Sequence, residues 1–177
     1  LAVRAEGPIG VPWGSLYRRT VLEHSLFDLP RDMMMGEDYI FWLRLVFLTK
    51  KPVRVVYENV YTKGADHTSN SFVWTAAYAQ RIHDYRLQAI PREDHPHYEA
   101  DMLAGRLANL FGVAVSSKRS TWQNSPFYRT VIADAARLGM PLTTRQHLFL
   151  ALPSRGLRGL YSQMGSRLRT ILSLFMK

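Results

Sequence analysis

From residue 72 onward, apolar side chains recur at spacings of three and four, in segments at 72–90, 95–116, 121–138 and 143–152. Pro91, Pro96, the SSKRS stretch and Pro141 separate them, so each reads as a helix with a stop signal at its end. The last piece, from Ser154, sets Leu157, Leu160, Tyr161, Met164, Leu168, Ile171, Leu172 and Phe175 on one stripe with arginines off it. This is a basic amphipathic helix in outline, weakened by Gly156, Gly159 and Gly165. No internal repeat and no low-complexity segment interrupts the pattern.

The part before residue 72 is of another kind. Gly7, Pro8, Gly10, Pro12 and Gly14 keep the opening irregular, after which SLYRRTVLEHSLF predicts a short helix with Leu16, Val21 and Leu22 inward. Asp28, Pro30, Arg31 and Asp32 make a loop. From Glu37 to about Leu48 the apolar residues surround a helix with Arg44 as the main exception, so that helix is expected to be buried on most sides. Lys50, Lys51 and Pro52 end it. The Val- and Tyr-rich segments VRVVY and ENVYTK predict a strand pair around a turn at Glu58 and Asn59. Two short strands do not make a stable sheet alone, which leads to the expectation of partner strands upstream. The first residue, Leu1, is not Met and no signal-peptide pattern follows it, which points the same way.

Charge narrows the function classes. No Asp or Glu follows Asp134, whereas seven Lys and Arg do, leaving only +2 of the net +9 for the rest of the chain. The basicity belongs to the tail and suggests a polyanionic neighbour, either nucleic acid or an anionic membrane face. No helix-turn-helix, zinc or RNA-recognition signature accompanies it, so nucleic acid is set aside as a partner. The apolar stripe with Arg155, Arg158, Arg167 and Arg169 beside it instead predicts a peripheral membrane helix, each basic residue near an anionic surface contributing about 1 kcal/mol. The competing reading packs that stripe on the other helices and leaves the arginines in water. The absence of cysteine rules out disulfides and thiolate metal sites and makes a cytoplasmic location the expectation, peripheral at the inner membrane. No run approaches the roughly 18 apolar residues of a membrane span.

Candidate chemistry centres on MMMGEDYIFWLRL, where Glu37 and Asp38 stand directly against an apolar run. A carboxylate at a helix start is stabilised in its ionised form by free backbone N–H groups and the helix dipole, so Asp38 reads first as a cap. The same physics allows a second role, a carboxylate aimed from a rigid helix that accepts a proton from a hydroxyl. The HPHYEAD stretch offers His95, His97, Glu99 and Asp101, but Pro96 marks it as a helix start and no third metal ligand is implied.

Trp13, then LYRRTVLE, a loop at Phe27, GEDYIFWLRL, KKPVRVVYENVY and ADHTSNS follow one another in an order that resembles the second half of a family 2 glycosyltransferase with the GT-A fold. The resemblance covers Gly7 to Ser71. It implies an α/β fold over residues 1–71, the acceptor-side half of a nucleotide-diphospho-sugar transferase domain, followed by a helical region at 72–153 and the basic amphipathic helix at 154–177. It further implies inverting transfer of a sugar from a nucleotide-sugar donor to a glycan or lipid-linked acceptor in bacterial surface polysaccharide synthesis. Asp38 would deprotonate the acceptor hydroxyl and Glu37 orient the site. Trp13 would stack on an acceptor sugar, unless it is a core aromatic. His67 would contact a divalent cation, Mn or Mg, unless Asp66 to Ser71 is simply a polar capping loop. In this family the metal and nucleotide are held largely by an upstream half with an Asp-x-Asp motif, and Asp28 and Asp32 in DLPRD do not match it. The expectation is therefore a fragment, inactive alone, of an enzyme whose donor-binding half lies upstream. The reading from another class is a non-catalytic helical interaction module, with Glu37 and Asp38 as caps and the basic tail as its binding surface.

Overall fold

A computed structural model describes residues 17–22, 24–28, 33, 36–49 and 73–163 of the 177. Every regular element among them is helical. Two 3-10 turns, Arg19–Val21 and His24–Phe27, precede α1 (Glu37–Thr49); α2 (Ala76–Ala89), a 3-10 turn at Arg92–Asp94, α3 (His95–Ser116), α4 (Arg119–Trp122), α5 (Pro126–Arg137) and α6 (Thr144–Ala151) follow. Residues 155–163 are also helical and are termed α7.

This corrects the α/β expectation for residues 1–71. That expectation rests on the stretch at 53–63 and on the resemblance; the strand pair lies outside the described residues, and the described part of 1–71 is α1 and two 3-10 turns, without a strand. The short helix expected over SLYRRTVLEHSLF is those two turns, and Leu22 is exposed rather than inward. The reason is length: the 3-10 turn Arg19–Val21 is too short to carry an apolar face past Leu22, whose backbone N–H closes the turn on Arg19 O.

The chain forms two compact units. One takes in the described residues before 73 with Arg81–Gly105, the other Val73–Gln80 with the described residues from Arg106 onward, so α2 and α3 each contribute to both.

In the first unit α1 is the core element. Tyr39 to Leu43 and Leu45 are buried, with Ile40 and Leu43 fully so, because residues with apolar side chains occupy nearly its whole circumference. Leu26, Phe41, Trp42 and Leu45 pack as one cluster, with Tyr17, Val21 and Val46 against it. Arg44, the polar exception, turns outward to donate from Nη1 to Ser25 O and Asp28 O, both at 2.9 Å. Those bonds tie the His24–Phe27 turn to α1, Ser25 O also accepting from Asp28 N–H at 3.4 Å.

The second unit is closed by local signals legible in its sequence. The helix expected at 121–138 is interrupted because Ser125 restarts it: its side chain accepts from Tyr128 N, and Pro126 fills the first helical position. α5 ends at Gly139, whose φ of 65° lets the Met140 and Gly139 N–H groups reach Ala135 O and Ala136 O. Thr143 and Gln146 form a capping box on α6. Val113, Trp122, Phe127, Val131 and Phe149 supply the core of this unit.

Candidate functional site

Asp38 lies in the first turn of α1, one residue after Glu37, at the edge of the most buried element of the first unit. Gly36 sets up this start. Its carbonyl accepts from Ile40 N at 3.0 Å, its φ is 91°, and a Cβ built there would come within 3.2 Å of Ile82 Cδ1. A side-chain cap at this position is therefore disfavoured by backbone conformation, and would also require Ile82 to shift by a few tenths of an ångström.

The proton affinity of Asp38 runs opposite to that expected of a cap. A capping carboxylate has its ionised form stabilised and its pKa lowered. Burial, and then the charge of Glu37, instead push the Asp38 carboxyl up from the ordinary aspartate value. Among the described residues no hydrogen bond is made to it, and Glu37 Oε2 is buried without a hydrogen-bond partner. Two adjacent carboxyl groups thus stand at a half-buried helix start, and the raised proton affinity belongs to Asp38.

At the next residue, Tyr39 is buried beneath Arg86 of α2, whose guanidinium carbon stands 4.6 Å from the ring centroid. Burial pulls the Arg86 pKa down, and the Tyr39 oxygen acts against that shift. The Tyr39 hydroxyl is pushed up by burial, with Arg86 opposing. The guanidinium fits because Gly105 on α3 has no side chain, since a Cβ there would lie 2.2 Å from Arg86 Nη1. This pair was not visible in the sequence: Arg86 looks like a solvent-facing residue of an amphipathic helix, and no spacing rule couples it to Tyr39 or Gly105.

The other expected site residues are distributed as follows. Trp13, His67, Arg167 and Arg169 lie outside the described residues. His95 opens α3, and its Nε2 stands 3.0 Å from both Leu87 O and Ile90 O, at the end of α2. The described residues contain no group of three or more His, Asp or Glu side chains able to hold a metal ion, so the divalent cation implied by the resemblance finds no fitting donors there. No helix among the described residues is long and apolar enough to cross a membrane.

Of the arginines expected at a membrane, Arg155 is exposed and donates to Ser116 O at 3.5 Å. Arg158 is a correction. It is fully buried, with Nε donating to Ala114 O at 2.5 Å, Nη1 to Leu152 O at 2.6 Å and Nη2 to Ser117 O at 2.9 Å, and its guanidinium carbon is 5.7 Å from the Trp122 ring. The stripe residues Leu157 and Leu160 are the ones left outside, 46% and 59% exposed. Charge goes inward here because the last carbonyls of α3 and α6 carry partial negative charge and lack helical partners, which a forked cation satisfies better than water-free apolar contact would.

A scan against protein-family models matches no family, and searches of curated proteins and of solved structures likewise return no match for this chain.

Proposed function

We propose that this chain supplies the proton-accepting side of a sugar transfer from a nucleotide-sugar donor to a hydroxyl acceptor, a glycan or a lipid-linked saccharide, with Asp38 as the base. The observation that carries the reading is the Asp38 carboxyl itself: partly buried on a rigid helix and raised in pKa by burial and by Glu37. A carboxylate raised in this way binds a proton more readily than a surface aspartate, the property asked of a general base. Asp38 takes the proton of the acceptor hydroxyl as that oxygen attacks the anomeric carbon and the nucleoside diphosphate leaves; Glu37, adjacent, keeps negative charge at the helix start and orients its neighbour. The resemblance implies that the donor is held largely by an upstream half. What supports the sugar-transfer reading beyond the carboxylate is the ordered succession from Trp13 through GEDYIFWLRL to ADHTSNS, which resembles a family 2 glycosyltransferase.

The test is turnover with a panel of nucleotide sugars, in the protein as the cell makes it. Asp38→Asn is expected to lower kcat about 100-fold or more with the helical circular dichroism unchanged. Turnover that persists in Asp38→Asn rejects the base.

A second reading is favoured by one observation, the exposure of Leu157 and Leu160 beside Arg155 on α7. It makes the helical region an interaction module whose basic end lies on an anionic membrane surface. Sedimentation with vesicles containing anionic lipid tests it: Leu157→Glu with Leu160→Glu is expected to leave the protein in the supernatant, and unchanged pelleting rejects the membrane contact.

A further inference from the structure

The second unit contains an open cleft of about 640 Å³ lined by Phe111, Gly112, Arg145, Gln146, Phe149 and Tyr161, with Val115, Ser116 and Ser162 at its sides. Its size falls in the range of about 300–1,000 Å³ usual for small-molecule sites. Three aromatic rings build the floor. Phe111 meets Phe149 edge to face at 5.6 Å, and Phe149 lies 6.1 Å from Tyr161. Phe149 is buried by that stack, whereas Phe111 and Tyr161 stay partly open.

The charge of the cleft is of one sign. Arg145 is exposed, its guanidinium carbon stands 5.8 Å from the Tyr161 ring centroid, and among the described residues it has no ion-pair partner. Among the described residues no carboxylate lines the cleft, and the sequence contains no Asp or Glu after Asp134. Gln146 has its Oε1 fixed by Thr143 N–H at 2.8 Å, which leaves its amide nitrogen as a donor. Cation and donor thus stand beside exposed ring surface, with no acceptor of full negative charge to quench them.

Gly112 adds an independent observation. It lies in the interior of α3, where glycine costs roughly 0.5–1 kcal/mol against alanine. Packing does not demand it, since a Cβ would meet Trp74 only at 3.8 Å, an ordinary contact. A helix glycine that its neighbours do not require, and that borders the cleft, keeps the floor open.

We propose that this cleft is a binding site for a small aromatic anion, a planar ring system bearing one phosphate or carboxylate. The ring lies on the Phe111–Tyr161 surface and the anionic group meets Arg145 at the rim. A bare anion would forfeit the ring contact, and a neutral ring would leave Arg145 without its charge-assisted bonds. The site involves none of the residues assigned to proton transfer.

The experiment is calorimetric titration of the whole protein with 1-naphthyl phosphate, with 1-naphthol and inorganic phosphate as the two half-ligands. Expected is saturable binding of the phosphate ester, with each half-ligand weaker by about ten-fold or more. Arg145→Gln, an exposed substitution, should weaken the ester about ten-fold and leave 1-naphthol unchanged; Ser162→Trp, also exposed, should block both by filling the cleft. Asp38→Asn should leave every titration as in the parent protein. The proposal is overturned if the ester does not saturate, if it binds Arg145→Gln and Ser162→Trp as tightly as the parent, or if Asp38→Asn abolishes its binding.

Discussion

Asp134, the last carboxylate in the sequence, is held by the buried guanidinium of Arg106, Nη1 to Oδ2 at 2.5 Å, while Nη2 of the same side chain donates to Thr130 Oγ1 at 2.6 Å. The bond joins α3 to α5 within the second unit, with the Arg106 guanidinium carbon 5.9 Å from the Phe127 ring centroid. Asp134 is only partly buried and also meets Arg137 at 3.5 Å, so the attraction has solvent competing on one side only.

Asp134→Asn is expected to destabilise the protein by about 2–3 kcal/mol, because it strands a buried cation rather than removing a weak surface pair. The Arg106→Met, Asp134→Asn double variant should recover most of that loss, since no buried charge then remains. Urea unfolding of the single and double variants measures the coupling; additive losses would show that the two side chains do not act as a pair.

Arg158→Met should cost about 3 kcal/mol or more, leaving the carbonyls of Ala114, Ser117 and Leu152 without their donor. Arg158→Lys should recover less than half of it. An ammonium is a compact charge that cannot serve three carbonyls on separate segments in the plane of one fork, nor lie flat against Trp122. Thermal unfolding of both variants is the measurement, and full stability in Arg158→Lys would show that charge alone suffices.

Asp38→Asn tests cap against base through pH as well as through turnover. The folded-state pKa is raised above the unfolded value, so folding favours the protonated acid. The stabilisation from protonation is complete below the unfolded pKa and lost as pH rises through the folded one. Above the folded pKa the folded protein therefore bears the cost of the ionised carboxylate. Asp38→Asn should keep or raise stability at pH 7, with the difference from the parent shifting against the variant as the pH falls through the carboxylate range. A cap would give the opposite sign, a loss of about 1 kcal/mol at pH 7.

Gly105→Ala carries two opposed effects. In an open helix interior the change would stabilise by roughly 0.5–1 kcal/mol. Here the new methyl meets a guanidinium that is itself 96% buried, 4% of its surface being exposed, so the collision should win and the protein lose about 1–3 kcal/mol. Shortening the obstacle with Arg86→Met in the same chain should restore the favourable sign, as read by chemical denaturation.

How much of this was legible in the sequence follows from how far each interaction reaches. α3 falls on the expected 95–116 and α1 on the expected Glu37 start, because three-and-four spacing is a property of consecutive residues. The break inside 121–138 was also written locally, in Ser125-Pro126, and was missed because the apolar spacing continues across it. The inversion at Arg158 was not legible. Its acceptors lie 44, 41 and 6 residues away, and a periodic stripe assigns charge outward by default. At the candidate site the sequence pointed to Glu37 and Asp38 but not to the direction of the proton affinity, since that depends on burial and not on position in a turn. Arg145 and Tyr161 come together across 16 residues through the approach of α6 and α7, which no motif announces.

A formal charge count treats as equal a guanidinium that faces water and one whose every nitrogen is committed to a peptide oxygen. Arg158 is of the second kind, so it contributes to the calculated isoelectric point near 10.1 but holds no counterion at the surface and has none to release on meeting a polyanion. The ionic atmosphere around this chain is thinner at its basic end than its composition implies.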